Sequence, residues 1–333
     1  MAEQRFLVVR LGSLGDIVHA FPGVSGLRLS FPDAEIIWVT HPKWEFLVKT
    51  SELATDVWTV DTRSWPTLRS ILRRIRKHRF GTAIDYQGLW KSAAIPFLAG
   101  VPRRIGFSSE TVRERGAPIL YTDRVRASAS AHIADQNGEL SIEAGARTPI
   151  GAVRLRVPDE DEQVVRARIA RAGIESYVVL SPGGGWRSKC WPAERYGLLA
   201  AKILEDFGLQ TVINVGPGEG DLSTAVIRAA GNAQPLPFTG SLGQLMALLK
   251  NATAVVAGDT GPLHLADALG ARVVAIFGPT DPVRNGPYRR SGLVLRWEGA
   301  ATTYKRETEP DESLMHISVD EVMRALRGLR VAA

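Results

Sequence analysis

The chain has 333 residues, long enough for two α/β domains of about 150 residues each. Apolar residues make up 45% and charged residues 23%, a globular balance, and the longest apolar stretch (93–101) is far below the ~18–20 residues that span a bilayer. One cysteine, Cys190, excludes a disulfide framework or a cysteine metal cluster within the chain and fits a cytoplasmic location. Net charge is +6 and uneven: residues 1–150 hold 20 Lys/Arg against 15 Asp/Glu, so the first half favours an anionic partner over a neutral one.

The N-terminal run is apolar but is broken by Arg10 and Asp16, and no small-residue cleavage site follows. It reads as a first strand over 6–11, not as a signal peptide. Further strands are expected over 35–40, 56–60 and 82–86, with helices over 65–79 and 89–98. Val- and Ile-rich runs alternating with helices predict a parallel sheet covered on both faces. Arg69, Arg73, Arg74, Arg76, Lys77 and Arg79 alternate with Leu68, Ile71, Leu72 and Ile75. That spacing gives an amphipathic helix with a solvated basic face, not a nucleic-acid site. Such a face could touch an anionic membrane surface.

Residues 148–158 carry two prolines and no helical period, and Asp159 to Glu162 then open a helix with acids in its first turn. The domains are therefore placed at 1–158 and 159–317. Asp159-Glu160-Asp161 has the D-x-D form of metal-dependent sugar transferases, but its place at a helix start argues for a capping role. In the second half, strands are expected over 177–181, 210–215, 254–257 and 272–277. A last helix over 319–329, within a segment 318–333, has one apolar stripe. Whether it packs back on the first domain is open in the sequence.

Ligands of such sheets bind beyond the carboxyl ends of the strands, so the turns there carry the chemistry. The first turn, Arg10-Leu11-Gly12-Ser13-Leu14-Gly15-Asp16, opens a helix and matches neither the dinucleotide fingerprint nor the Walker loop. Asp16 is either a first-turn capping acid or a general base that takes the proton of an attacking hydroxyl. The second turn, 181–192, holds Gly183, Gly184 and Gly185 followed by Lys189. Three successive glycines need a reason, and close approach to a phosphate supplies one. Lys189 is a mobile positive charge suited to a phosphate leaving group. In the third turn, Glu219 could accept bonds from sugar hydroxyls or cap a helix. In the fourth, Asp259, Thr260 and Gly261 could cradle a diphosphate, whereas a buried residue such as His264 is more often structural. The fifth, 277–282, either closes the same site or is a tight turn.

The ordered set R-L-G-S-L-G-D, S-P-G-G-G-W-x-x-K-x-W-P, G-P-G-E and G-D-T-G-P-x-H-L-A resembles glycosyltransferase family 9, the heptosyltransferases, over nearly the whole chain. The resemblance implies an α/β GT-B fold of two Rossmann-like domains facing across a cleft. It implies an ADP-heptose donor on the second domain, an anionic lipopolysaccharide precursor (Kdo-bearing lipid A or heptosylated core) on the first, and an inverting reaction needing no metal or cofactor. By the same resemblance Asp16 is the base and Lys189 neutralises the departing ADP. Gly184, Gly185, Glu219, Asp259, Thr260, Gly261 and His264 hold the donor. Arg10, Gly15, Arg103, Arg104 and His132 lie on the acceptor side. Residues 302–315 lack the cysteines of the metal-binding, protein-modifying relatives. Two other readings stay open: a sugar-nucleotide epimerase, which product analysis without acceptor separates, and a nucleotide-sugar binding protein, which would not need Asp16.

Overall fold

The computed structural model describes residues 4–289, 292–303, 305 and 307–331. The chain divides into two compact units, Met1–Arg156 and Val157–Ala333.

The first unit is one parallel sheet in the order β3-β2-β1-β4-β5-β6. Its strands are β1 (Arg5–Val9), β2 (Glu35–Thr40), β3 (Asp56–Thr59), β4 (Thr82–Asp85), β5 (Arg103–Phe107) and β6 (Asp123–Val125). Its helices are α1 (Leu14–Ser30), α2 (Glu45–Thr50), α3 (Trp65–His78), α4 (Trp90–Leu98) and α5 (Ile133–Glu143). The central strands are buried on both faces because they are nearly all apolar. On one face α3 places Ile71, Leu72 and Ile75 inward against Leu7, Val9, Ile37 and Val39. Its arginines point outward; Arg74 pairs with Asp56 and lies over the Trp58 ring, and Arg76 bonds the carbonyl of Leu98. Helix α1 is buried over most of its length and packs on α5. Asn137 of α5 donates to the carbonyl of His19 at 2.9 Å, and Ser141 to that of Gly23 at 2.7 Å. These bonds anchor the helix whose first turn carries Asp16.

The second unit repeats the plan, in the order β12-β11-β10-β7-β8-β9. Its strands are β7 (Tyr177–Ser181), β8 (Gln210–Asn214), β9 (Leu236–Phe238), β10 (Ala254–Gly258), β11 (Val273–Phe277) and β12 (Gly292–Arg296). Its helices are α6 (Asp159–Arg171), α7 (Ala193–Phe207), α8 (Gly220–Ala230), α9 (Leu242–Lys250), α10 (Gly261–Ala268), α11 (Pro282–Asn285), α12 (Glu312–Met315) and α13 (Val319–Gly328). The D-x-D acids open α6; Asp161 accepts from Ser241 and Glu162 pairs with Lys250, which ties α6 to α9. The last helix, α13, packs on α7 of its own unit. Val322, Met323 and Leu326 join a core with Leu199 and Ile203, and Arg327 pairs with Asp206. The apolar stripe of α13 faces this core of its own unit.

In each sheet the strand order reverses beside the first strand of the unit. The reversal lies between β1 and β4 in the first unit and between β7 and β10 in the second. Helices leave such a point in opposite directions and open a crevice at the carboxyl ends of the two strands.

Candidate functional site

In the first unit the crevice between β1 and β4 is lined by the turn 10–16 and by residues 85–88. Arg10 is only 5% exposed although it carries a full charge. Its Nη2 lies 2.8 Å from Asp16 Oδ1, and its Nη1 donates to the carbonyl of Tyr86. Asp16 is the third residue of α1, and its Oδ2 accepts from both the backbone N–H and the hydroxyl of Ser13 at 2.9 Å. The capping reading of Asp16 is therefore realised, yet its side chain stays 32% exposed. Burial works against its ionisation. The Arg10 charge and the Ser13 bonds outweigh that and hold the carboxyl below the usual carboxylate range.

Behind this pair lies Asp85, 1% exposed. It accepts from Tyr121 at 2.6 Å, Ser92 at 2.8 Å and the backbone N–H of Gln87 at 2.9 Å, while Gln87 accepts from the N–H of Leu11 at 2.7 Å. Burial raises the Asp85 carboxyl against these bonds. Sequence reasoning missed this cluster. The run Asp85-Tyr86-Gln87-Gly88 at the end of a strand was its signal, and the register that sets β4 beside β1 was not visible.

Not every expected acceptor residue joins the pair. Gly15 sits buried in the first turn of α1. His132 caps α5, its Nδ1 accepting from the N–H of Ala134, and its ring lies 5.3 Å from that of His19, one turn along α1 from Asp16. Arg103 and Arg104 begin β5, beside the amino end of β4. Arg103 bonds Asp123 and Glu143, and Arg104 bonds the carbonyls of Val101 and Leu120. Both guanidinium groups are committed to the fold. Arg10 is likewise too buried to meet an acceptor itself.

In the second unit the crevice between β7 and β10 holds a buried ionic group. Lys189 Nζ lies 2.5 Å from Asp259 Oδ2, and His264 Nε2 lies 3.1 Å from Asp259 Oδ1. The Lys189 ammonium also sits 4.3 Å from the centre of the Trp186 ring. Burial raises Asp259, but the bonds and charges of His264 and Lys189 prevail and hold it far below the usual range. Thr260 caps α10, and its hydroxyl is buried without a hydrogen-bond partner among the described residues. Gly261 follows as the first helical residue, so the opening N–H groups of α10 point to the carboxyl edge.

The glycine run also makes room within the protein. A Cβ on Gly183 would lie 2.0 Å from Glu219 Oε1, and one on Gly184 would lie 2.8 Å from Thr260 Cγ2. Glu219 also accepts from the N–H of Gly216 at 2.7 Å, which closes its own turn. Two of the glycines thus make room for protein side chains that converge on the crevice. A Cβ on Gly185 would meet open space.

Residues 68–314 match the family model for glycosyltransferase family 9 (heptosyltransferase). The chain belongs to glycosyltransferase family 9. Membership places it among sugar-transferring enzymes, not epimerases. It is 28% identical over 306 residues to a lipopolysaccharide heptosyltransferase 1 of Pseudomonas aeruginosa, covering 87% of this chain and 83% of that one. Among solved structures it is similar to the Escherichia coli ADP-heptose lipopolysaccharide heptosyltransferase II, with a TM-score of 0.81, 20% identity and 98% of each chain covered. It is also similar to the E. coli heptosyltransferase WaaC with ADP-2-deoxy-2-fluoro heptose, with a TM-score of 0.72, 23% identity and coverage of 98% and 99%. The fold class is accordingly α/β of the GT-B type.

Proposed function

We propose that this enzyme moves heptose from ADP-heptose to the lipopolysaccharide inner core, with inversion and without a metal. The observation that carries the reading is the ionic group at each switch point: a partly exposed carboxylate in the first unit, a lysine held by a buried carboxylate in the second. The choice of donor and acceptor rests on the relatives, which are lipopolysaccharide heptosyltransferases, one of them with an ADP-heptose analogue.

Asp16 takes the proton of the acceptor hydroxyl as that oxygen attacks the anomeric carbon. The bond from that carbon to the diphosphate breaks on the opposite face, so the configuration inverts. Negative charge then grows on the departing ADP. Lys189 has three donors and gives one to Asp259, which leaves two for phosphate oxygens. The N–H groups of α10 add a second source of positive potential. Donors of this kind are worth about 3–4 kcal/mol each in the transition state. Gly184, Gly185, Glu219, Thr260 and His264 shape the donor side, and Gly15 and His132 the acceptor side.

The test is transfer from ADP-heptose to Kdo-bearing lipid A in the presence of chelator, with the anomeric configuration of the product read by NMR. Product of inverted configuration supports the reading. Product of retained configuration, or none until metal is restored, overturns the mechanism.

The acceptor carries lipid, so the enzyme works at the cytoplasmic side of the inner membrane as a peripheral protein. No helix of the described residues is long and apolar enough to cross a membrane. Arg69, Arg73 and Lys77 on the exposed side of α3 offer charge to anionic headgroups, at about 1 kcal/mol each near a surface. Sedimentation with vesicles of anionic phospholipid should fall in an Arg69→Ala/Arg73→Ala/Lys77→Ala variant. Equal sedimentation of both proteins would remove this contact from the account.

A further inference from the structure

Asp16 is held at both oxygens, and the two restraints differ in kind. Ser13, three residues away on the same turn, holds Oδ2 through two bonds of 2.9 Å. Arg10, directly after β1, holds Oδ1 at 2.8 Å. Arg10 is itself immobile. Its N–H donates to the carbonyl of Val39 at 3.1 Å, its carbonyl accepts from Trp38 Nε1 at 3.3 Å, and its Nη1 donates to Tyr86. A guanidinium taken almost wholly out of water gives up most of its hydration. Here that burial is spent on a carboxylate that remains a third exposed, whereas a pair serving the core alone would bury both partners.

We propose that Arg10 is a positioning residue for the transfer reaction, fixing the Asp16 carboxylate so that its remaining lone pairs meet the acceptor hydroxyl. The proposal rests on Asp16 being the base. A carboxylate free to rotate would offer the hydroxyl a correct geometry only part of the time, and misplacement of this size is costly in rate. The charge of Arg10 has a second consequence. It keeps Asp16 ionised to lower pH than a lone carboxylate on α1 would be. The other groups facing this pair are Arg113, which adds positive charge, and the buried Asp85, which supports Arg10. One turn along α1 stands His19 with His132 beside it.

The experiment compares pH profiles of kcat and the acceptor KM for Arg10→Met and Arg10→Lys, with Asp16→Asn as reference. Loss of Arg10 raises the Asp16 pKa, and the reaction needs the ionised form, so the acidic limb moves to higher pH. Arg10→Met is expected to lose about 100-fold in kcat, within the range for a misplaced base, at nearly unchanged acceptor KM. Arg10→Lys restores the charge but not the planar fork, so it returns the limb toward its wild-type pH and recovers about tenfold of the loss. A raised acceptor KM with kcat and limb unchanged would mean that Arg10 binds acceptor, and wild-type kinetics in Arg10→Met would mean that it does nothing to Asp16; either overturns the proposal. Should Arg10→Met not fold, Arg10→Lys decides: a reduced kcat at constant KM upholds positioning, and an unchanged kcat refutes it. Transfer that survives in Asp16→Asn brings down the base reading and this one together, while an inactive Asp16→Asn beside a wild-type-like Arg10 variant brings down positioning alone.

Discussion

Asp259 shows how much a single buried carboxylate is asked to do. It is 8% exposed and faces both a lysine and a histidine, so its ionised form is favoured despite desolvation. Its pKa in the folded chain is depressed below the ordinary 3.8. The stability it contributes is therefore fully present above the unfolded value and is lost as pH falls below about 4 toward the folded pKa. Asp259→Asn removes that dependence. The variant should be less stable than wild type at pH 7 by about 1–3 kcal/mol, because it weakens a buried hydrogen-bonded group. It should then lose less further stability on acidification to pH 3, as followed by thermal melting. Parallel melting curves at every pH would show that Asp259 is not the ionised centre of this group. At this scale the sequence was informative where a motif names its own residues. Asp259, Thr260 and His264 share one turn, and their convergence follows from local spacing. The buried Asp85 was not legible, because Tyr121 is brought to it by the packing of distant elements.

The glycine-rich turn after β7 works as an element, not as a row of equal positions. Gly183 and Gly184 are required by Glu219 and Thr260, which close on them from the turn after β8 and from the start of α10. Gly183→Ala should displace Glu219 and destabilise the ligand-free protein by about 1–3 kcal/mol, the usual cost of overpacking. Gly185→Ala should leave the ligand-free melting temperature in place and weaken ADP binding, measured calorimetrically. Equal melting temperatures for the two variants would contradict this division. Most elements were readable from the sequence: the Val- and Ile-rich strands β2 and β7 run over the residues expected. Four strands were not. β6 and β9 are three residues long, β9 holds a proline, β5 opens with two arginines, and β12 is a half-exposed edge. None presents an apolar run long enough to mark a strand by itself. The arginines of β5 were assigned to the acceptor side by resemblance alone; in the sheet they stand beside Thr82 and Ala83, at the amino end of β4.

At the scale of the whole molecule, one plan is used twice. Each unit sets its ionic group where its strand order reverses, and each prepares one charge. The first holds a partly exposed carboxylate and the second a lysine ammonium paired with a buried carboxylate, the groups to which the proposed reaction gives the proton and the departing phosphate. The repeat of plan is structural only, since the two turns share no sequence beyond glycine. Division of labour of this kind needs both halves for transfer but only the second for nucleotide binding. The direct test is a single-turnover assay of ADP-heptose with Kdo-bearing lipid A, comparing wild type with Asp16→Asn, with ADP affinity measured on both. A heptose mass increment in wild type, a loss of at least about 100-fold in Asp16→Asn and equal ADP affinity are the predicted result. Transfer by Asp16→Asn at the wild-type rate, or no increment with this donor and acceptor while ADP binds normally, would contradict the account.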